Sequence, residues 1–285
     1  MAKEQTEHII NKLYGGEVVL DFMPNSHRYS IEDRGVKVKP SSVTGIIGRK
    51  DKSSALILWA TRLCGQHILD TLAENGEVTK EDVIAAVNLH QQKKEEAGDI
   101  GSKMHDWCEK FVKYKLKELS APPELPEDPQ ILLGVNSFLE WYNNNDVEFL
   151  FSERFVYSRM YRYVGKADLG AIVNGKKAII DFKSANGLYP EVGMQLAAYA
   201  EAIEEEDGHG EPFETRIAIR LAKETEEEWN NRHLKNNTFK KNPVSPPKYD
   251  PFETLEFSDD DRSFDFSTFL NLQGVDEWIK KNDKY

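Results

Sequence analysis

The chain is expected to fold as a mixed α/β protein, with a central mixed β-sheet flanked by helices and preceded by a β-meander and a helical accessory region. Residues 147–182 hold three consecutive β-rich runs whose apolar side chains alternate with a period of two. Apolar residues at helical spacing lie on both sides of them, at 131–142 and 190–203. The first forty residues instead carry short strand-like runs separated by turn residues.

Residues 17–22 and 27–31 read as strands around the turn Met23-Pro24-Asn25-Ser26, and 36–39 as a third. Pro40, Ser41 and Ser42 offer helix-capping chemistry ahead of a short helix at 43–47. Leu56, Trp59, Ala60, Leu63 and Cys64 recur at helical spacing, as do Val83, Ala86 and Val87, and Trp59 is expected in the core. Met104, Trp107, Cys108 and Phe111 mark an amphipathic helix, and 131–142 marks another after the proline-rich break at 122–129. Strands follow at 147–157, 163–173 and 177–182, then a helix at 190–203, strands at 215–221 and 252–257, and a closing helix at 266–279. Residues 1–98 are expected to form the accessory region and 99–285 the core.

A chain of 285 residues can bury one large core with an accessory region. No apolar run approaches the roughly 18 residues of a membrane span, and residues 1–9 lack the basic and apolar regions of a signal peptide. A cytoplasmic address without a membrane partner is the expectation. Cys64 and Cys108 are the only cysteines, which excludes a four-cysteine zinc or iron–sulfur site within one chain. A bound metal would need oxygen and nitrogen ligands.

The net charge of −12 runs against nucleic acid, whose phosphates are met mostly by Lys and Arg. The distribution weakens that objection. Residues 1–120 hold 18 basic and 18 acidic side chains, so the other 19 basic and 31 acidic residues carry the whole deficit. Acidic runs at 204–207, 224–228 and 259–261 read as solvated loops or helix ends. Residues 229–249 contain no acid but carry Arg232, Lys235, Lys240, Lys241 and Lys248, and read as a basic loop that either touches nucleic acid or is simply solvated.

Asn174-Gly175 between two β-rich runs is a strong hairpin signal, because both residues tolerate the positive φ of a type I′ turn. Pairing Val173 with Lys176 then places Asp168 opposite Asp181, on one face of the hairpin. Like charges there repel unless something positive lies between them, and a divalent cation is the natural candidate. Alternation puts Lys183 on the Asp181 face, while Ile180 and Phe182 point the other way. Two carboxylates and an ammonium therefore converge, a set suited to Mg²⁺ or Mn²⁺ and to phosphate chemistry. Exposed strand charges joined in a simple salt bridge are the plainer alternative.

Gly165-Lys166-Ala167-Asp168, then Asp181-Phe182-Lys183, then Gln195-Leu196-Ala197-Ala198-Tyr199 resemble the G-x-x-D, D-x-K and Q-x-x-x-Y pattern of the PD-(D/E)XK nuclease superfamily, specifically its RecB-like branch of phage and mitochondrial exonucleases. Gly101-Ser102-Lys103-Met104-His105 is similar to the G-x-x-x-H of that branch. The resemblance covers roughly residues 105–221 well and touches the lead-in at 40–59. It implies a restriction-endonuclease-like core, with His105, Asp168, Asp181 and the Phe182 carbonyl as metal ligands. Lys183 would then be catalytic, and Gln195 and Tyr199 would position the phosphate and its attacking water or lysine. Ala167 stands where the family's classical pattern has Pro.

Glu153, at the start of the first core strand, and Glu109, one turn after His105, are candidate supporting or substrate-contacting residues under the same resemblance. Ordinary surface charges are the alternative for both. Ser42, Arg49, Lys50, Lys240 and Lys241 are candidate DNA contacts, with simple helix capping the stronger reading for Ser42 and its neighbours Ser41 and Thr44. The activity implied is a Mg²⁺-dependent DNA exonuclease acting on single strands or duplex ends, in phage or bacterial recombination, repair or DNA degradation. Its partners would be DNA and a recombination or single-strand-binding protein. A flap or junction endonuclease on the same core is one alternative, and a catalytically silent DNA-binding protein another.

Overall fold

The computed structural model describes residues 7–237, 242, 245 and 248–283. Strands β1 (Ile9–Leu13), β2 (Val18–Met23), β3 (Arg28–Asp33) and β4 (Val36–Val38) form an antiparallel sheet in that order. Alternation along β2 buries Val18, Leu20 and Phe22, which pack with Ile31 against Tyr157 and Val164 of the main body. The turn expected at 23–26 is a 3₁₀ turn that ends on His27 at φ +47°. β1, whose apolar residues do not alternate, escaped sequence reading.

The chain then enters the main sheet through β5 (Ser41–Ser42) and continues into α1 (Val43–Ile47), α2 (Ser53–Asn75), α3 (Lys80–Lys115) and α4 (Pro129–Asn143). Strands β6 (Val147–Tyr157), β7 (Tyr163–Val173) and β8 (Lys176–Lys183) precede α5 (Glu191–Glu206). β9 (Thr215–Leu221), α6 (Glu226–Asn237), β10 (Phe252–Phe257) and α7 (Arg262–Asn282) complete the described elements.

The main sheet is mixed, as expected. Its order is β10-β9-β8-β7-β5, with β6 on the other side of β7, and the β8–β9 and β5–β7 pairs are parallel. One face packs against α1, α5 and α7 through residues such as Val43, Ile46, Leu196, Ala200 and Phe269. The opposite face packs against α3 and α4 through Met104, Cys108, Phe138 and Trp141. Burial of these apolar side chains supplies the main driving force for the layered arrangement.

Three expectations need correction. The helical patches around 83–87 and 104–111 are one continuous helix, α3, so the boundary expected at 98/99 falls inside it. The polar stretch between the patches stays helical through pairs at i,i+4, namely Gln91–Glu95, Gln92–Glu96 and Lys103–Asp99. Second, α2 forms a hairpin with the first half of α3 and buries only Thr71, leaving Leu56 and Trp59 outside the core at 56% and 40% exposure. Third, the basic loop expected from residue 229 begins as α6, nucleated by reciprocal hydrogen bonds between Thr225 and Glu228. Lys240 and Lys241 lie outside the described residues. Among those described, no helix is long and apolar enough to cross a membrane.

Candidate metal centre

The β7–β8 hairpin fixes the geometry. Asn174 and Gly175 take φ of +51° and +82°, and the register runs from Val173↔Lys176 to Leu169↔Ile180. Beyond that rung the strands part: β7 turns to β5, while β8 continues beside β9 as far as Lys183. The Asp168 side chain fills the opening, its Oδ2 accepting the Phe182 backbone N–H at 2.9 Å. Asp181 occupies the facing register position, one step beyond Ile180.

On the other side of β7, Ser152 pairs with Leu169 and Arg154 with Ala167, so Glu153 stands opposite Asp168. Its φ of +53° is a left-handed conformation that a non-glycine residue adopts at an energetic cost. Lys166 is its ion-pair partner. From α3, His105 brings Nδ1 to 3.5 Å from Asp168 Oδ2, and its ring meets Phe182 edge-on at 6.0 Å. His105, Glu153 and Asp168 each offer one ligand atom, all within 4.8 Å of one another. Two carboxylates and an imidazole at that spacing suit a divalent cation of the Mg²⁺ or Mn²⁺ type.

Asp181, 1% exposed, belongs to an adjoining network. Gln195 Nε2, on α5, donates to Asp181 Oδ1 at 2.7 Å, and Lys183 Nζ donates to Gln195 Oε1 at 3.1 Å. Lys183 Nζ also lies 2.6 Å from Asp181 Oδ2, a charge contact off the hydrogen-bond direction. Tyr199 Oη stands 3.4 Å from Gln195 Nε2. Gly165 leaves room for that tyrosine, since a Cβ there would come within 2.6 Å of its ring.

Electrostatics joins the two groups. Burial, then the nearby Asp181 charge, pushes Asp168 up to about 7, and burial followed by Asp168 pushes Glu153 up to about 7. Burial lowers His105, which favours the neutral imidazole a metal requires. Burial pulls Lys183 down as well, but Asp181 and Asp168 outweigh it and hold the ammonium above its ordinary value. The protein has thus assembled acids that resist ionising beside each other, a cost that a bound cation relieves.

The structure therefore brings together His105, Glu153, Asp168, Asp181, Phe182, Lys183, Gln195 and Tyr199. Glu153 stands in the ligand cluster rather than behind it, and Asp181 directs its oxygens to Gln195 and Lys183. Phe182 presents its N–H to Asp168. Glu109 pairs with Lys113 instead of His105. Ser42 caps α1 by accepting from Gly45, Arg49 pairs with Asp276 at 2.7 Å, and Lys50 and Lys52 both pair with Glu191. The cations expected to meet DNA at this end are held by the protein's own acids. Lys166 was not singled out from sequence, although it sits inside the Gly165–Asp168 motif.

No protein-family model matches the chain, and no curated protein matches it either.

Proposed function

We propose that the protein is a divalent-cation-dependent DNA nuclease that degrades single strands or duplex ends. The observation that carries this reading is the meeting of His105, Glu153 and Asp168 within 4.8 Å beside the ion-paired Lys183. Asp168, Glu153 and His105 would hold the cation, with Asp181 at the border of the two groups. When bound, the cation would supply Lewis acidity toward a phosphodiester oxygen and toward water.

Hydrolysis requires a water oxygen to bond to phosphorus while the bond to the leaving oxygen breaks and that oxygen gains a proton. Lys183, held as an ammonium, stabilises negative charge gathering on the phosphate. Gln195 spans Asp181 and Lys183 and fixes the ammonium in place. The carboxylates, acceptor-only once ionised, would receive the proton lost by water.

The test is digestion of end-labelled linear DNA in Mg²⁺, with circular single-stranded DNA as the comparison. Wild type is expected to degrade the linear strand and spare the circle. Asp181→Ala and Lys183→Ala should each lose about a thousandfold or more. Undiminished digestion by both variants overturns the assignment.

A further inference from the structure

A cleft of about 560 Å³ opens between α2 and α6. Trp59, Arg62 and Gln66 line one wall, Asn231 and Lys235 the other, and Asn186 joins them from the loop that follows Lys183. Because β8 and β9 are parallel neighbours, this loop and the connection into α6 leave the sheet at the same end. Asn186 brings the cleft to within three residues, along the chain, of Lys183.

Its polar chemistry is unfinished. Arg62 Nε and Gln66 Oε1, one helical turn apart, are buried and make no hydrogen bond among the described residues. A buried donor and acceptor left unmatched are costly, so a ligand offering both would be favoured there. Trp59, on the same wall, is 40% exposed and meets His90 edge-on at 6.5 Å. Lys235 adds an exposed cation, which among the described residues has a 3.4 Å contact with Asp70.

We propose that this cleft holds an unpaired nucleotide of the strand being cut, its base against Trp59 and its phosphate on Arg62. Aromatic rings take any base through its π-face, and guanidinium groups bind phosphate through paired N–H donors. Gln66 Oε1 would accept from a base-edge amino group. An apolar peptide helix would fill the same volume but leave Arg62 and Gln66 unmatched. A paired base is already stacked within its duplex, so single-stranded DNA is the substrate class this surface selects. The inference rests on the nuclease reading and names the strand it acts on.

The probe is a fluorescein-labelled oligothymidylate of about twelve nucleotides, measured by anisotropy with Ca²⁺ in place of Mg²⁺, beside a fully paired duplex of the same length. Trp59→Ala and Arg62→Ala are each expected to weaken oligothymidylate binding about tenfold. Trp59→Phe should stay within about threefold of wild type, and duplex affinity should be unchanged in all three. Both alanine variants binding like wild type, or losing duplex affinity equally, overturns the cleft assignment. Circular dichroism melts confirm that the variants are folded. Digestion by wild type that Asp181→Ala abolishes, alongside unaltered binding by Trp59→Ala and Arg62→Ala, would retire the cleft and leave the nuclease reading standing. Strand binding that depends on Trp59 in a protein that never cuts DNA would do the reverse.

Discussion

Asp168 accepts the backbone N–H of Phe182 at the rung where the β7–β8 ladder ends. One carboxylate thus closes a backbone gap and contributes to the cluster with His105 and Glu153. An asparagine oxygen can accept the same N–H but carries no charge. Asp168→Asn should therefore melt no lower than wild type in metal-free buffer, and higher toward pH 7 where the buried carboxylate ionises, while Mn²⁺ affinity falls at least about tenfold by calorimetry. Asp168→Ala should lose the affinity and also about 1–3 kcal/mol of stability, from the stranded N–H. Equal Mn²⁺ affinity in wild type and Asp168→Asn would remove Asp168 from the ligand set.

The raised values of Asp168 and Glu153 set a pH window. Each is pushed up to about 7, chiefly by burial, so the stability it contributes is complete below its ordinary value near 4 and is lost as pH rises through about 7. Glu153→Gln removes one of the two. The variant should gain on wild type between about pH 4 and pH 7 in metal-free melts and level off above that. Mg²⁺ or Mn²⁺ should stabilise wild type most at the upper end of that range. A difference between the two proteins that stays flat with pH would show that Glu153 does not titrate there.

The hairpin was legible because Asn174-Gly175 permits few turn types, and one turn fixes every pairing that follows. Glu153 was named only through the resemblance, as a supporting or substrate-contacting residue; its place opposite Asp168 depends on where the chain bends at 158–162, which no turn motif like Asn174-Gly175 announces. Trp59 misled for another reason. Helical periodicity identifies an apolar face but not what covers it, and α2 turns much of its face away from the core. Arg49 and Lys50 looked free for DNA because their partners, Asp276 and Glu191, are far away in sequence.

Gln195 contacts both Asp181 and Lys183 and none of His105, Glu153 or Asp168. In the proposed mechanism it is a positioning residue, which would separate its effect on rate from any effect on metal binding. Gln195→Ala should lower kcat about 10–100-fold and leave Mn²⁺ affinity within a few-fold. The alkaline limb of its pH–rate profile should also shift down, because Lys183 loses a hydrogen-bonded neighbour. A loss confined to melting temperature would assign Gln195 a structural role only.

Glu191 marks the opposite pH regime. Burial alone would raise it, but hydrogen bonds from Lys50 and Lys52 prevail and hold it down at about 2. The stability from this cluster is present above the ordinary glutamate value and is lost as pH falls toward 2. Glu191→Gln should destabilise the protein by about 1 kcal/mol at neutral pH, a modest figure because both lysines are nearly half exposed. The deficit should vanish near pH 2. Lys50→Ala should cost similar stability while leaving DNA affinity unchanged; a clear loss of affinity would return Lys50 to the DNA-binding surface.

Gly101 and Ser184 explain why a glycine precedes His105 by one turn. A Cβ on Gly101 would stand 2.3 Å from Ser184 Oγ and 3.4 Å from Ser184 Cβ. The first distance is a collision and the second an ordinary contact. Gly101→Ala forces either the Ser184 hydroxyl to turn aside or α3 to move away from the residue that follows Lys183; in the second case His105 moves with its helix. Alanine is the better helix former by about 1 kcal/mol, so loss of helix cannot be the cause of any defect. The variant should bind Mn²⁺ and cut DNA more weakly, by about tenfold or more, although its helix content is unchanged. Ser184→Ala removes only the colliding oxygen and should be silent alone. Combined with Gly101→Ala, it should restore metal affinity and raise the melting temperature above that of wild type. Failure of the pair to recover metal affinity would mean that close approach of α3 to this loop does not set the position of His105.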